Sequence, residues 1–234
     1  MLVSIAAIIT AAGSSARMAG QKKEYRNLPS LSPAEKPLSV LGAAVAAFVS
    51  CPKIGPIVIT TPPGDENGKA LSFLPVELLK RKGGLLFVPG GPTRRASVFN
   101  ALSLLESFKP DIVLIHDGAR PWIKPELIEK TIEAAIRYGA VIPALPLVET
   151  PKELGSGEFI KRHLRRENLC TAQTPQGFRF PEILRAHEKA REREDRENFE
   201  YTDDAEVWGE FIGQVAVIPG DPENRKITYP EDLK

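Results

Sequence analysis

The chain has very little cysteine: Cys51 and Cys170 are all there is in 234 residues. Two thiols so far apart exclude a disulfide framework and point to a reducing, cytoplasmic compartment in which both are structural or incidental. An excess of charge is also missing, with 31 Lys+Arg against 30 Asp+Glu. No global field therefore recruits nucleic acid or an anionic membrane, and any anion site has to be local. No apolar run approaches the ~20 residues that a membrane-spanning helix needs. The apolar stretch near the start lacks the basic lead of a secretory signal, and cleavage after it would remove a strand on which the next turn depends. There is no Gly-x-Ser-x-Gly elbow, no paired Cys/His metal spacing and no His-Glu-x-x-His, so nothing requires a covalent nucleophile.

What is present is a regular alternation. Short apolar runs at 5–9, 57–60, 85–88, 112–115 and 139–142 are bounded by Gly, Pro or Asp, as buried strands are. Helical spacing separates some of them, at Lys36 to Ser50 and at Pro125 to Tyr138, the latter opening on a first-turn proline and stopping before Gly139. With 42% hydrophobic residues the chain can bury a substantial core, and the alternation predicts one α/β domain over 1–234 with helices on both faces of a sheet. Right-handed crossovers then put the ligand loops at the carboxyl ends of the strands. One segment breaks the pattern. Val148 to Arg165 reads as a hairpin around Gly155-Ser156-Gly157, and an isolated hairpin is too weak to stand alone, so it predicts a partner surface on a second copy of the chain. The Pro29–Pro37 stretch reads as an exposed loop, and Arg185 to Glu200 as a charged surface helix.

The polar motifs collect at the predicted strand ends. After the first strand come Ala11-Ala12-Gly13-Ser14-Ser15, then Arg17, Lys22 and Lys23. Small residues let backbone amides approach a ligand, while an arginine and a lysine neutralise a polyphosphate. The segment lacks the Lys-Ser/Thr ending of a P-loop and the third glycine of a dinucleotide fingerprint. Gly90-Gly91-Pro92-Thr93-Arg94-Arg95-Ala96-Ser97 is a second strand-to-helix turn: one of its arginines and Ser97 could bind base or phosphate, or Ser97 could simply cap the helix. His116-Asp117-Gly118-Ala119-Arg120 follows another strand. Asp117 could contact Mg²⁺ near a polyphosphate, or pair with Arg120 to tie the loop, and His116, pointing the other way, reads as a packed histidine. Near the C-terminus, Lys226 and Thr228 alternate with Ile227 as though in a strand, the lysine facing either a ligand or solvent. Glycine turns, cations and one metal-competent carboxylate match phosphoryl or nucleotidyl transfer.

Taken in order, ITAAGSSARM, KKEY, GGPTRRASV, IHDGARP, VETPKEL, RRENLCTAQTPQGF, YTDDA and NRKITYPEDL closely resemble the 2-C-methyl-D-erythritol 4-phosphate cytidylyltransferase family over nearly the whole chain. The resemblance implies a Rossmann-like three-layer α/β/α nucleotidyltransferase sheet with a protruding β-hairpin arm at 148–165 that joins a homodimer. It implies Mg²⁺-dependent transfer of CMP from CTP to methylerythritol phosphate in non-mevalonate isoprenoid synthesis. By residue, it implies that Ala11, Ala12, Gly13, Gly91 and Ser97 form the cytosine and ribose pocket and that Arg17 and Lys23 clamp the triphosphate. Asp117 and Arg120 fall where the family contacts metal or the incoming substrate, and Lys226, Thr150, Arg166 and Thr174 where it holds the acceptor, the last three on or just after the arm.

Four features depart from the family pattern: Ser15 replaces a second glycine, Pro92 an acidic residue and Glu149 an aspartate, and the stretch from Pro29 to Glu35 is longer than usual. A cytidylyltransferase for another polyol phosphate, such as ribitol 5-phosphate, and a catalytically silent nucleotide-binding protein are the competing readings. Arg166 and Thr174 favour the first assignment, and the retained cations oppose the last.

Overall fold

The computed structural model describes residues 3–15, 18, 22–29, 37–65, 68–81, 83–197 and 199–233. Arg17 and most of the 29–37 loop lie outside the described residues. The strands are β1 (Ile5–Thr10), β2 (Ile54–Thr61), β3 (Leu85–Pro89), β4 (Ile112–Asp117), β5 (Ala140–Pro146), β6 (Lys152–Leu154), β7 (Ile160–His163), β8 (Cys170–Ala172), β9 (Gln176–Arg179) and β10 (Ala216–Pro219). The helices are α1 (Val40–Val49), α2 (Val76–Leu79), α3 (Arg94–Leu105), α4 (Pro125–Tyr138), α5 (Phe180–Glu197) and α6 (Asp204–Phe211). A large sheet runs in the order β10-β5-β9-β4-β1-β2-β3, with β8 pairing to β5 off that path.

Two cores make the three layers. On one face Ile5, Ala7, Ile9, Ile57, Ile59, Ile112 and Leu114 pack against Leu41, Val45 and Phe48 of α1 and Ile128 and Ile132 of α4. On the other, Ala6, Ile8, Val58, Val113 and Ile115 pack against Val98 and Leu102 of α3, Ile183 and Ala186 of α5, and Val207 and Trp208 of α6. Because strand side chains alternate between faces and both faces are covered, each central strand must be apolar at every position, which is why these strands read as continuous runs.

β1 is parallel to β2 on one side and to β4 on the other, with Thr10 level with both Thr60 and Asp117. The chain crosses from β1 outward to β2 and β3, then returns past β1 to β4. That reversal opens a crevice at the carboxyl ends of β1 and β4, where α/β sheets bind ligands.

Three strands were not legible in the sequence. β9 runs antiparallel between β4 and β5, and β8 antiparallel to β5. Their segments, Cys170-Thr171-Ala172 and Gln176-Gly177-Phe178-Arg179, are too short and polar to show a period. Gly177 fits beneath α4 because a Cβ there would meet Ala135 and Leu114 at 3.0 and 3.1 Å. β10, a four-residue edge strand, is equally brief. The expected strand around Lys226 is corrected: residues 225–228 are irregular, held by the Ile227 amide donating to the Ala119 carbonyl (2.9 Å). The alternation survives without a strand, since Ile227 is buried while Lys226 and Thr228 both face the crevice. Helix α1 begins at Val40 rather than 36, where Ser39 caps it by accepting from the Gly42 amide (2.8 Å). The predicted surface helix starts earlier, at Phe180, and its first half is core.

The hairpin is present as β6 and β7, tied by Glu153 to Lys161 and Arg162, each at 2.6 Å. It forms its own two-stranded sheet. Val148 and Phe159 are each 78% exposed, and Leu154 and Ile160 are exposed beside them.

Candidate active site

The crevice is a cleft of about 740 Å³ lined by the loops after β1, β3 and β4 and by the C-terminal segment. Ala12, Gly13, Gly91, Ser97, Asp117, Lys23 and Lys226 all line it. Ala11 lies just beneath, its amide donating to the Thr60 carbonyl and hydroxyl, both at 3.1 Å. Thr150 and Arg166 do not line the cleft of their own chain; Arg166 donates to the Val148 carbonyl (2.7 Å) at the base of the arm.

The wall after β3 is built on close approach. A Cβ on Gly90 would stand 2.2 Å from the Ala12 Cβ and 2.9 Å from Ser97 Oγ, so only glycine lets the turns after β1 and β3 touch. Thr93, not Ser97, caps α3, accepting from the Ala96 amide (3.0 Å). Ser97 instead accepts from the Gly91 amide and donates to the Thr93 carbonyl, both at 3.0 Å, and so braces the turn. The paired arginines diverge. Arg94 lines the cleft, whereas Arg95 is buried against α5 with Glu194 at 2.6 Å.

Asp117 is the electrostatic centre. Its carboxylate oxygens lie 2.9 Å from Lys226 Nζ, 3.4 Å from Arg120 Nε and 3.8 Å from Arg94 Nε. Burial pushes its carboxyl up, but Lys226, Arg94 and Arg120 outweigh that and hold it far below the usual carboxylate range. Both sequence readings of Asp117 can now be weighed. It pairs with Arg120, and two more cations join. A divalent cation placed directly on this carboxylate would have to displace them. The donor set fits a carboxylate that collects cations rather than a direct metal ligand.

His116 is packed, as its strand position predicts. Its Nδ1 is 3.0 Å from Thr174 Oγ1, and Nε2 is 3.2 Å from the Arg120 carbonyl. Since Thr174 Oγ1 accepts from the Asp117 amide (3.1 Å), its own proton goes to Nδ1, leaving Nε2–H to donate. Burial lowers the imidazole to about 4, so it is neutral at pH 7. Thr174, expected among the acceptor contacts, is only 5% exposed, and its hydroxyl is committed to this chain of bonds beneath the cleft floor.

Two segments close the cleft. Asn224 ties the C-terminal segment down, its Nδ2 donating to the Thr174 carbonyl (2.7 Å) while Arg120 Nη1 donates to the Asn224 carbonyl (2.8 Å). From the opposite side Lys23 Nζ donates to the Ile227 carbonyl (2.8 Å), which brings the segment after β1 and Lys226 together. Ser15 adopts a φ of 52°, the left-handed region where glycine is favoured. Its side chain offsets that cost, donating to Glu24 (3.2 Å) and accepting from the Lys23 amide (3.2 Å). Glu24 is buried and paired with Lys22, which also donates to the Gly13 carbonyl. Arg94, Lys22 and Glu24 thus join the site. The double arginine and double lysine were the available signals, though the sequence did not say that both lysines but only one arginine face in.

A second hollow of about 830 Å³ lies at the opposite end of the central strands, below the start of β4 and against Phe180 and Leu184. Its cations, Lys109, Arg179 and Arg185, are interleaved with Glu106, Glu182 and Glu188, so it offers no concentrated positive field for a polyphosphate. No helix among the described residues is long and apolar enough to cross a membrane.

Known proteins resemble this chain in both sequence and fold. The family model described as 2-C-methyl-D-erythritol 4-phosphate cytidylyltransferase matches residues 5–234. A protein of that name from Pelotomaculum thermopropionicum is 38% identical over 233 residues, covering 98% of this chain and 91% of the relative. A bifunctional enzyme IspD/IspF from Bradyrhizobium is 40% identical over 97% of this chain and 54% of its own length, so this chain spans about half of that relative. Among solved structures, 4-diphosphocytidyl-2C-methyl-D-erythritol synthase from Anaerococcus prevotii superposes with a TM-score of 0.78 at 30% identity, covering 99% of this chain and 93% of that one. The cytidylyltransferase from Thermus thermophilus gives 0.72 at 33% identity over 100% and 96%.

Proposed function

Because the chain belongs to the 2-C-methyl-D-erythritol 4-phosphate cytidylyltransferase family, we propose that its cleft transfers CMP from CTP to methylerythritol phosphate and releases pyrophosphate, in isoprenoid precursor synthesis. The observation that carries the reading is the meeting of two cation systems. Lys23, from the turn that follows β1, docks at 2.8 Å on Ile227, the neighbour of Lys226, which is itself held 2.9 Å from Asp117. A triphosphate and a second phosphorylated substrate can therefore be gripped side by side.

In this reading the small-residue turns at Ala11–Gly13 and Gly91, with Ser97 behind them, admit the cytosine and ribose. Lys23 and Arg17 take the triphosphate, and Lys226 faces the acceptor, with Arg120, expected there from the resemblance, set behind it on Asp117 and the Asn224 carbonyl. An acceptor phosphate oxygen attacks the α phosphorus; the new P–O bond forms as the bond to the β-phosphate oxygen breaks, and both electrons leave with pyrophosphate. No general base is needed, since a phosphate monoester carries an ionised oxygen at neutral pH. Negative charge growing on the α-phosphate meets cations already in place, and alignment supplies most of the remaining acceleration. Mg²⁺ belongs to the proposal as the companion of the triphosphate. Incubating the protein with CTP, Mg²⁺ and either methylerythritol phosphate or ribitol 5-phosphate, while following pyrophosphate, tests the assignment. Faster turnover of ribitol phosphate overturns it, and CTP binding without pyrophosphate release from any acceptor supports the silent class instead.

The exposed apolar arm supports a homodimer, and the two free cysteines support a reducing, cytoplasmic setting. Thr150 and Arg166, remote from their own cleft, would then serve the partner's. Arg166→Ala is expected to weaken acceptor binding, and Lys23→Ala chains mixed with Arg166→Ala chains are expected to regain activity, because one site in the mixed dimer is intact. Absence of complementation in a dimer verified by light scattering places each site within one chain.

Ser15→Ala keeps the left-handed backbone and removes both bridging hydrogen bonds. The CTP KM is expected to rise about fivefold, the scale of one lost bond of about 1 kcal/mol, with kcat less affected. An unchanged CTP KM would show that Lys23 and Glu24 hold their places without it.

A further inference from the structure

The proposed mechanism uses nothing from α5 or α6, yet those helices send charge to the cleft wall. Asp204, the first residue of α6, is wholly buried. Its Oδ2 accepts from Arg94 Nη2 at 2.8 Å, and its Oδ1 lies 3.2 Å from His187 Nε2 of α5 but off the line of a hydrogen bond. Arg94 is thus its one well-aligned side-chain partner among the described residues. Burial pushes the Asp204 carboxyl up, and Arg94 first, with His187, brings it below its ordinary range, so the pair is ionised.

The carboxylate cannot follow a moving arginine. Asp203, just before it, caps α6 by accepting from the Glu206 amide (2.9 Å) and also accepts from Gln176 Nε2 (2.8 Å). Gln176 Oε1 in turn accepts from the Ala205 amide (3.1 Å), so the start of α6 is pinned to β9 in the middle of the sheet. Arg95 separately clamps α3 to α5 through Glu194, so holding these two helices together does not require Arg94. Arg94 keeps 25% of its side chain exposed in the cleft, with Nε 3.8 Å from Asp117 Oδ1. It is a cation strung between a fixed buried carboxylate and the carboxylate that gathers Lys226 and Arg120.

We propose that Asp204 is a positioning residue for the transfer reaction: by fixing Arg94 it sets the orientation of the Asp117 carboxylate and hence of the acceptor-side Lys226. This rests on the cytidylyltransferase reading, and wild-type protein assayed alongside separates the two, since an inactive wild type would refute that reading and not this one. The variants are Asp204→Asn, Arg94→Lys and the double variant, each measured for kcat and for the KM of CTP and of methylerythritol phosphate, with melting temperature followed separately. For Asp204→Asn, kcat/KM for the acceptor is expected to fall about tenfold or more while the CTP KM stays within twofold. The double variant is expected to be no worse than Arg94→Lys alone, as two residues acting in series require. Losses that multiply, or kinetic constants that stay at wild-type values while only the melting temperature falls, overturn the proposal. If Asp204→Asn does not fold, Arg94→Lys decides: an acceptor-side loss supports the role, and unchanged acceptor kinetics refute it.

Discussion

Lys23→Ala is expected to lower turnover by at least two orders of magnitude with the fold intact. The lysine belongs to a short 3₁₀ turn, Lys23–Tyr25, and its ammonium crosses the cleft to the Ile227 carbonyl at 2.8 Å. That position puts a compact, mobile charge between the nucleotide loop and the acceptor side. Charge builds on the α-phosphate only during transfer, so removing a preorganised cation there costs about 3 kcal/mol or more in the transition state and much less in the ground state. The lost tie to the Ile227 carbonyl is a charge-assisted bond, of about 1.5–3 kcal/mol, which the melting temperature reads separately. Steady-state rates at saturating CTP and acceptor, with melting temperature as control, make the comparison. A kcat within a few fold of wild type would remove Lys23 from the phosphate clamp.

Asp117→Asn is expected to cost both activity and stability. The carboxylate serves Lys226, Arg120 and Arg94, and the amide would leave these cations crowded without a counter-charge. Removing one partner from a buried ion pair costs about 3–5 kcal/mol, and the lower end applies because Lys226 retains water, its side chain being 39% exposed. With the cations no longer gathered, acceptor kcat/KM is expected to fall by about a hundredfold, as misplaced positioning groups do. The pH dependence has a definite sign. The folded-state pKa of Asp117 is depressed, so its stabilisation is complete above the unfolded carboxylate value of about 4 and is lost as pH falls below it toward the folded value. Wild type should therefore lose its margin over Asp117→Asn progressively below about pH 4 in denaturant titrations. A margin that stays constant through that range, or a variant with normal acceptor kinetics, would show that the cations are held by other groups.

The cation-rich turns were legible because small residues and charges at strand ends have few other uses. The strands at 5–10, 54–61 and 112–117 announced themselves because burial on two faces demands unbroken apolar sequence. β9 did not, because a four-residue strand with a glycine and a glutamine owes its place to the neighbours that enclose it. The Lys226 segment shows the same limit in reverse. Its alternation was real and sent Lys226 and Thr228 to the cleft side, but hydrogen bonds from Arg120 and to Ala119 hold it, and no period encodes those partners.

The amino-acid sequence by itself determined the α/β class, the family and the set of residues able to handle phosphates, since these depend on local pattern and side-chain chemistry. Tertiary structure decided how those residues divide the work. It turned Arg94 into the cleft and Arg95 into the core, buried Thr174 beneath the floor, and brought Arg94 and Lys226 from distant parts of the chain to the local Asp117–Arg120 pair. Such choices depend on distances between segments far apart in sequence, which only the packed sheet and its helices set.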